Sequence, residues 1–166
     1  IHRWIAVPTA LAIPVAFHAV GLGSTFLPML MPILAAGLLL RPLPAALVGT
    51  VTPPVSALLT GMPPLMPPVA LVMAVEGLVL AGLSSQLCGR TRWNLHLIAA
   101  IAVLAERLVM VAGMALLAPL FGLPAPVAAL GALASGLPGV VLLILVVPVL
   151  ARQVSRLRRG SHGGIR

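Results

Sequence analysis

The chain has 166 residues, 61% of them hydrophobic and only 7% charged, whereas a soluble domain carries about 25% charged residues. That excludes a water-soluble enzyme or carrier and points to an integral membrane protein. The formal charge of +8 comes from arginine alone, and the arginines stand at the ends of apolar runs, as in cytoplasmic loops, not along one face as a nucleic-acid footprint would.

The apolar runs lack the alternation of transmembrane barrel strands and are mostly near the ~20 residues that cross a bilayer as a helix. The expected fold is therefore an all-α bundle of six transmembrane helices, over about 4–20, 26–40, 43–59, 67–87, 95–119 and 126–151, followed by a basic tail over 152–166. With short connections, this leaves no room for a soluble domain.

The first run, Trp4–Val20, contains Ala10-Leu11-Ala12, which resembles a signal cleavage site, but it continues past Ala12 and reads as a span. It also holds Ala12 and Ala16, a spacing of small residues that permits close helix approach, and His18 near its far end. The second and third runs, Phe26–Leu40 and Leu43–Leu59, meet at "LLLRPLP", where Pro42 predicts a sharp stop and a tight helical hairpin. "TGMPPLMPP" then interposes Pro63, Pro64, Pro67 and Pro68, which end one helix and begin the next, while Gly61 admits a positive φ. This stretch is either a stiff turn or the rim of a cavity. The fourth run, Pro67–Leu87, carries Glu76, and Cys88 follows it as a small apolar filler beside Arg90 and Arg92. The fifth, Leu95–Pro119, carries Glu106 and Arg107, and the sixth, Pro126–Ala151, precedes a tail expected to be mobile from Arg156.

Arg3, Arg41, Arg90 with Arg92, and Arg152, Arg156, Arg158 and Arg159 fall at alternate connections and at the two ends of the chain, whereas "GLGST", "TGMPPLMPP" and "FGLPA" carry no charge. The positive-inside rule then places both termini in the cytoplasm and "TGMPP" outside.

Glu76 and Glu106 are the only acidic residues. At 1.5 Å per residue Glu76 lies about 13 Å from the outer end of its run, and Glu106 and Arg107 about 16–18 Å from the cytoplasmic end of theirs. Charges at such depth face a bundle interior or a pathway. Adjacent helical residues point about 100° apart, so Arg107 is expected to pair with Glu76 across two helices, leaving Glu106 for a substrate, for His18 or for protonation. Either the trio locks the bundle or it touches substrate. Met29, Met31, Met62, Met66 and Met73 gather in the outer half and suit an irregular apolar pocket or simple core filling.

No metalloprotease, phosphate-loop or nucleophile-elbow motif occurs, so no catalytic residue is expected, and no histidine or acidic spacing suggests a bound metal. An intramembrane hydrolase would need Ser135 or Ser56 beside a histidine, for which His18 is the one candidate partner.

The run "FHAVGLGSTFLPMLMPILAAGLLLRPLPAALVGTVTPPVSALLTGMPP", with Met73 and Glu76 after it, resembles the substrate-binding S components of energy-coupling factor transporters, which import vitamins and related micronutrients in prokaryotes. The resemblance rests on Phe26-Leu27-Pro28-Met29, Pro32, Ala36-Gly37, Gly49, Pro53, Ser56 and Thr60-Gly61-Met62-Pro63-Pro64. It implies a multi-pass subunit of the cell membrane that binds a micronutrient in its outer half and works with a transmembrane coupling subunit and two ATPase subunits. ATP would be used by those partners, and this chain would carry no cofactor of its own. Candidate substrate contacts on this reading are Ser24, Thr25, Phe26, Met29, Ser56, Thr60, Gly61, Met62, Met73 and Glu76, joined by His18, Glu106 and Arg107 from the depth argument above, while the resemblance implies that Ala12 and Ala16 dock the coupling subunit. Leu30 stands where the pattern leads one to expect a histidine, and Arg41 where a glycine is usual.

The chain has no tyrosine, and both tryptophans, Trp4 and Trp93, stand at cytoplasmic ends; with Phe17 and Phe26 the plausible stacking candidates in the outer half, a small polar or zwitterionic cargo, or a corrinoid, fits better than a flat aromatic one. Two other readings stay open. One is a cobalt or nickel uptake component, suggested by His2; the other is a membrane scaffold whose buried charges are structural.

Overall fold

A computed structural model describes residues 29–61, 63, 69–122 and 125–162. Among these, five α-helices and one short 3-10 turn account for the regular structure, with no strand. They are α1 (Leu30–Leu39), α2 (Pro42–Thr60), α3 (Val69–Arg90), α4 (Leu95–Leu117) and α5 (Ala125–His162), with the 3-10 turn Ala118–Phe121 between α4 and α5. Four of these helices contain stretches long and apolar enough to cross a bilayer: Pro42–Thr60, Val69–Arg90, Leu95–Leu117 and Gly136–Leu157. The chain is thus a multi-pass helical membrane protein. The expected first span, 4–20, lies outside the described residues.

The helix boundaries follow local chemistry. Arg41, in extended conformation, precedes Pro42 at the first position of α2, where a missing N–H costs nothing. At the other end Gly61 adopts φ 73° and donates its N–H to the Ala57 carbonyl, a left-handed cap that a side chain would resist. Asn94 caps α4 by accepting the His96 N–H on its side-chain oxygen at 3.1 Å.

The expected hairpin is drawn differently in space. Only Leu40 and Arg41 separate α1 from α2, yet α1 packs chiefly on α3 and α5 rather than on α2. Small residues explain this. Gly37 lies so close to Ala81 and Ser84 that a Cβ there would sit 2.9 Å from the Ala81 Cα, and Ser85 Oγ donates to the Leu40 carbonyl at 2.7 Å. The tightest crossing joins α2 and α3 at Gly49 and Gly77, where a Cβ on either would collide with the carbonyl of the other. Backbones approach this closely in membranes because lipid supplies little hydrophobic drive between helices, so dispersion and weak Cα–H contacts hold them. Pro53, one turn on, has no N–H, which leaves the Gly49 carbonyl free at that crossing.

The helices expose leucine and bury polar groups. Leu43, Leu58, Leu71, Leu108 and Leu157 are all more than 60% exposed, whereas Thr52, Ser56, Glu76, Ser84, Ser85, Glu106 and Arg107 are buried. The apolar core runs through Leu30, Ile33 and Leu34 of α1, Leu80 of α3, Val103 of α4 and Leu143 and Val147 of α5.

The last helix begins where expected, at Ala125, but runs past its expected end: helix continues through residues 152–162, where a mobile tail was expected from Arg156. No glycine or proline interrupts the sequence between Pro148 and Gly160, so nothing local ends the helix at Ala151.

Candidate functional site

Glu76 on α3 and the neighbours Glu106 and Arg107 on α4 form one buried cluster midway along the bundle. Glu106 is the twelfth of the 23 residues of α4, and Glu76 the eighth of the 22 of α3. The two helices run antiparallel in register, as the packing of Gly113 against Val72 shows. Relative exposure is 0% for Glu106, 4% for Glu76 and 8% for Arg107.

The pairing within the cluster corrects the sequence expectation. Arg107 does not cross to Glu76 but turns back onto its own neighbour: Nε donates to Glu106 Oε2 at 2.7 Å and Nη2 to Oε1 at 2.5 Å. The 100° separation of adjacent side chains is overcome because the arginine stem is long enough to fold over the helix. Its planar fork then matches both carboxylate oxygens at once. Nη1 meets Met110 Sδ at 3.3 Å, one turn further along the same face. Glu76 lies near enough to Glu106 for the two carboxyls to influence each other. Two carboxyls therefore converge where one guanidinium is already engaged, and Arg107–Glu106 is the one ion pair within 4 Å among the described residues. In hydrocarbon each of these groups would cost several kcal/mol without partners; here none of the described buried side-chain polar atoms lacks one.

The remaining expected site residues fall in two other places. Met29 is buried in the apolar core, and half-buried Met73 packs against the same cluster. Ser56 is buried in α2, with Thr60 Oγ1 donating to its carbonyl at 2.8 Å, while Thr60 and Gly61 are exposed at the helix end. The Gly49–Gly77 crossing sets Ser56 opposite the start of α3, about 9 Å along the axis from Glu76. His18, Ser24, Thr25, Phe26, Met62, Ala12 and Ala16 lie outside the described residues, as do His2 and the side chain of Ser135. Among the described residues no group of three His, Cys, Asp or Glu side chains gathers around a metal-sized space.

A second polar assembly occupies the end where α1, α3 and α5 finish and α2 and α4 begin. Asn94 Oδ1, besides capping α4, accepts a hydrogen bond from Arg152 Nη2. His96 Nδ1 lies 2.9 Å from the Ile144 carbonyl, which can only accept, so this ring nitrogen carries the proton. That carbonyl is the one Pro148 leaves without its helical partner. Sequence reading missed this role of His96; its signal was Pro148, four residues beyond the orphaned carbonyl. Met110 was missed as well, although it follows Arg107 by three residues and so shares its face.

No family model matches the chain, and neither the curated proteins nor the solved structures compared with it yield a match.

Proposed function

We propose that the chain is a membrane-embedded substrate-binding subunit for uptake of a vitamin or related micronutrient, of the kind found in energy-coupling factor transporters. In this reading it has six spans with both termini in the cytoplasm of a prokaryotic cell, and it works with a coupling subunit docked through Ala12 and Ala16 and with separate ATPase subunits. The observation that carries the reading is the enclosed trio Glu76, Glu106 and Arg107 at mid-bundle, because ionisable groups are kept at that depth chiefly for what passes or binds there. The resemblance of residues 17–64 to such subunits supports it. On this reading a cargo would meet Glu76, the carboxyl that Arg107 does not clamp.

Native mass spectrometry of gently purified protein tests this. A small molecule should co-purify, and Glu76→Gln should lower its retention about tenfold, the effect of losing one hydrogen bond to a charged group. A protein that carries no small molecule under these conditions, or full retention by the Gln variant, would sink the proposal.

The bidentate Arg107–Glu106 pair favours a second reading, a scaffold or assembly subunit whose charges lock the bundle. On that reading Glu76→Gln leaves every bound partner in place and changes stability alone.

A further inference from the structure

We propose that the arginine end of the bundle binds the headgroups of anionic phospholipids, gripping the phosphate with Arg90, Arg92 and Arg152. This rests on the membrane-spanning fold alone and is independent of the import reading.

Arg41, Arg90, Arg92, Arg152 and Arg156 are all exposed. Contacts across the bundle put them at one end: Ser85 with Leu40, His96 with Ile144, and Asn94 with Arg152. No carboxylate neutralises them, because both acidic residues of the chain are buried in the central trio. The uncompensated charge calls for an anion.

The surroundings narrow that anion to an amphiphile. Along the helices from these arginines, towards the bundle core, stand exposed apolar side chains: Leu43 at 72% beside Arg41, Leu97 at 48% after Trp93 and Leu150 at 55% before Arg152. Trp93, 50% exposed, stands between Arg92 and Asn94, in the place where amphipathic rings sit at headgroup level. A ligand with a phosphate and a hydrocarbon tail satisfies both surfaces, and free phosphate satisfies one. The platform is also held in shape, since Asn94 ties the 91–94 link to Arg152 and His96 ties α4 to α5.

The test uses the delipidated full chain in mild detergent, with phosphatidylglycerol and phosphatidylcholine of matched acyl chains added in equal amounts, read by native mass spectrometry. The wild type should retain phosphatidylglycerol about a hundredfold over phosphatidylcholine. Each arginine changed to glutamine should lower that ratio about fivefold, so R90Q/R92Q/R152Q brings it near one, while R90K/R92K/R152K keeps most of it. Unchanged helicity by circular dichroism shows that the variants fold, and a phospholipid ratio that follows charge in folded protein supports the site. Equal retention of both lipids by the wild type, or a ratio unmoved by the triple glutamine variant, overturns the proposal. So does displacement of phosphatidylglycerol by equimolar inorganic phosphate, which would mark a site for the soluble anion. Tighter capture of polyglutamate than of phosphatidylglycerol would assign the surface to an acidic protein and overturn it equally.

Discussion

Among the described residues, Arg107 and Arg152 make side-chain hydrogen bonds in opposite surroundings. Arg107 is buried at mid-bundle with both carboxylate oxygens of Glu106 and the sulfur of Met110 around it, whereas Arg152 is exposed and meets a neutral amide oxygen on Asn94. The same cation thus has a fixed partner where leaving it alone is costly, and a loose one where water and lipid phosphate serve as well. The comparison teaches that position along the helix, more than residue type, decides what an arginine does here.

The strongest way to break the contrast is to remove the interior cation. Arg107→Ala leaves Glu106 buried without its ion pair, and losing one member of a buried pair costs about 3–5 kcal/mol. Unfolding in mixed micelles, followed by helical circular dichroism, should show that loss, and R107A/E106Q should recover part of it. A single-variant cost under about 1 kcal/mol would mean that the pair is solvated.

Next comes the crossing that holds the trio's helices in place. Gly77 adjoins Glu76 in sequence and leaves no room for a Cβ beside the Gly49 carbonyl. Gly77→Val should cost about 1–3 kcal/mol through overpacking, and by pushing α2 from α3 it should also disturb Glu76. Gly89, with open space where its Cβ would stand, is the control. Gly89→Ala should be neutral or slightly stabilising, since alanine is the better helix former.

Much of this was legible in the sequence. Apolar length located the α2, α3 and α4 spans to within a few residues, because hydrocarbon thickness sets helix length and proline or glycine sets the ends. Arginine placement likewise put Arg41, Arg90, Arg92 and Arg152 at one end, as the cross-bundle contacts have it. Depth counting brought Glu76, Glu106 and Arg107 to one level, because rise per residue is fixed. What it could not give was their pairing. Helical geometry describes where a Cβ points, and the fold-back of Arg107 onto Glu106 depends on a flexible stem and on what α3 leaves free. The packing of α1 on α3 was hidden for a related reason, since short links imply adjacency while small residues such as Gly37 and Ser84 decide contact. The run of α5 past Ala151 was not foreseen because the polar, glycine-containing tail was set apart from the span, although arginine is a good helix former.

At the exposed end the expected effects shrink. His96→Ala would uncover the Ile144 carbonyl that Pro148 has already deprived of its helical partner, costing about 1 kcal/mol for a half-buried acceptor. H96A/P148A should be milder than the sum of the single changes, because alanine at 148 restores an N–H that can serve the same carbonyl. Strict additivity would show that the two residues do not act on one group.

The smallest effect belongs to Arg152→Gln, where an exposed hydrogen bond to Asn94 is worth about 0.2–1 kcal/mol. Its sharper signature is ionic. Salt near 1 M shortens the Debye length to about 3 Å, so lipid phosphates attracted to Arg152 and its neighbours should be released, while the buried Arg107–Glu106 pair keeps its contribution. Measuring unfolding of the wild type, R107A and R152Q in anionic micelles at low and high salt separates the two. The gap between wild type and R152Q should close with salt and the gap to R107A should persist. If both gaps close together, the interior pair is open to ions, and the mid-bundle trio is reached by water rather than sealed from it.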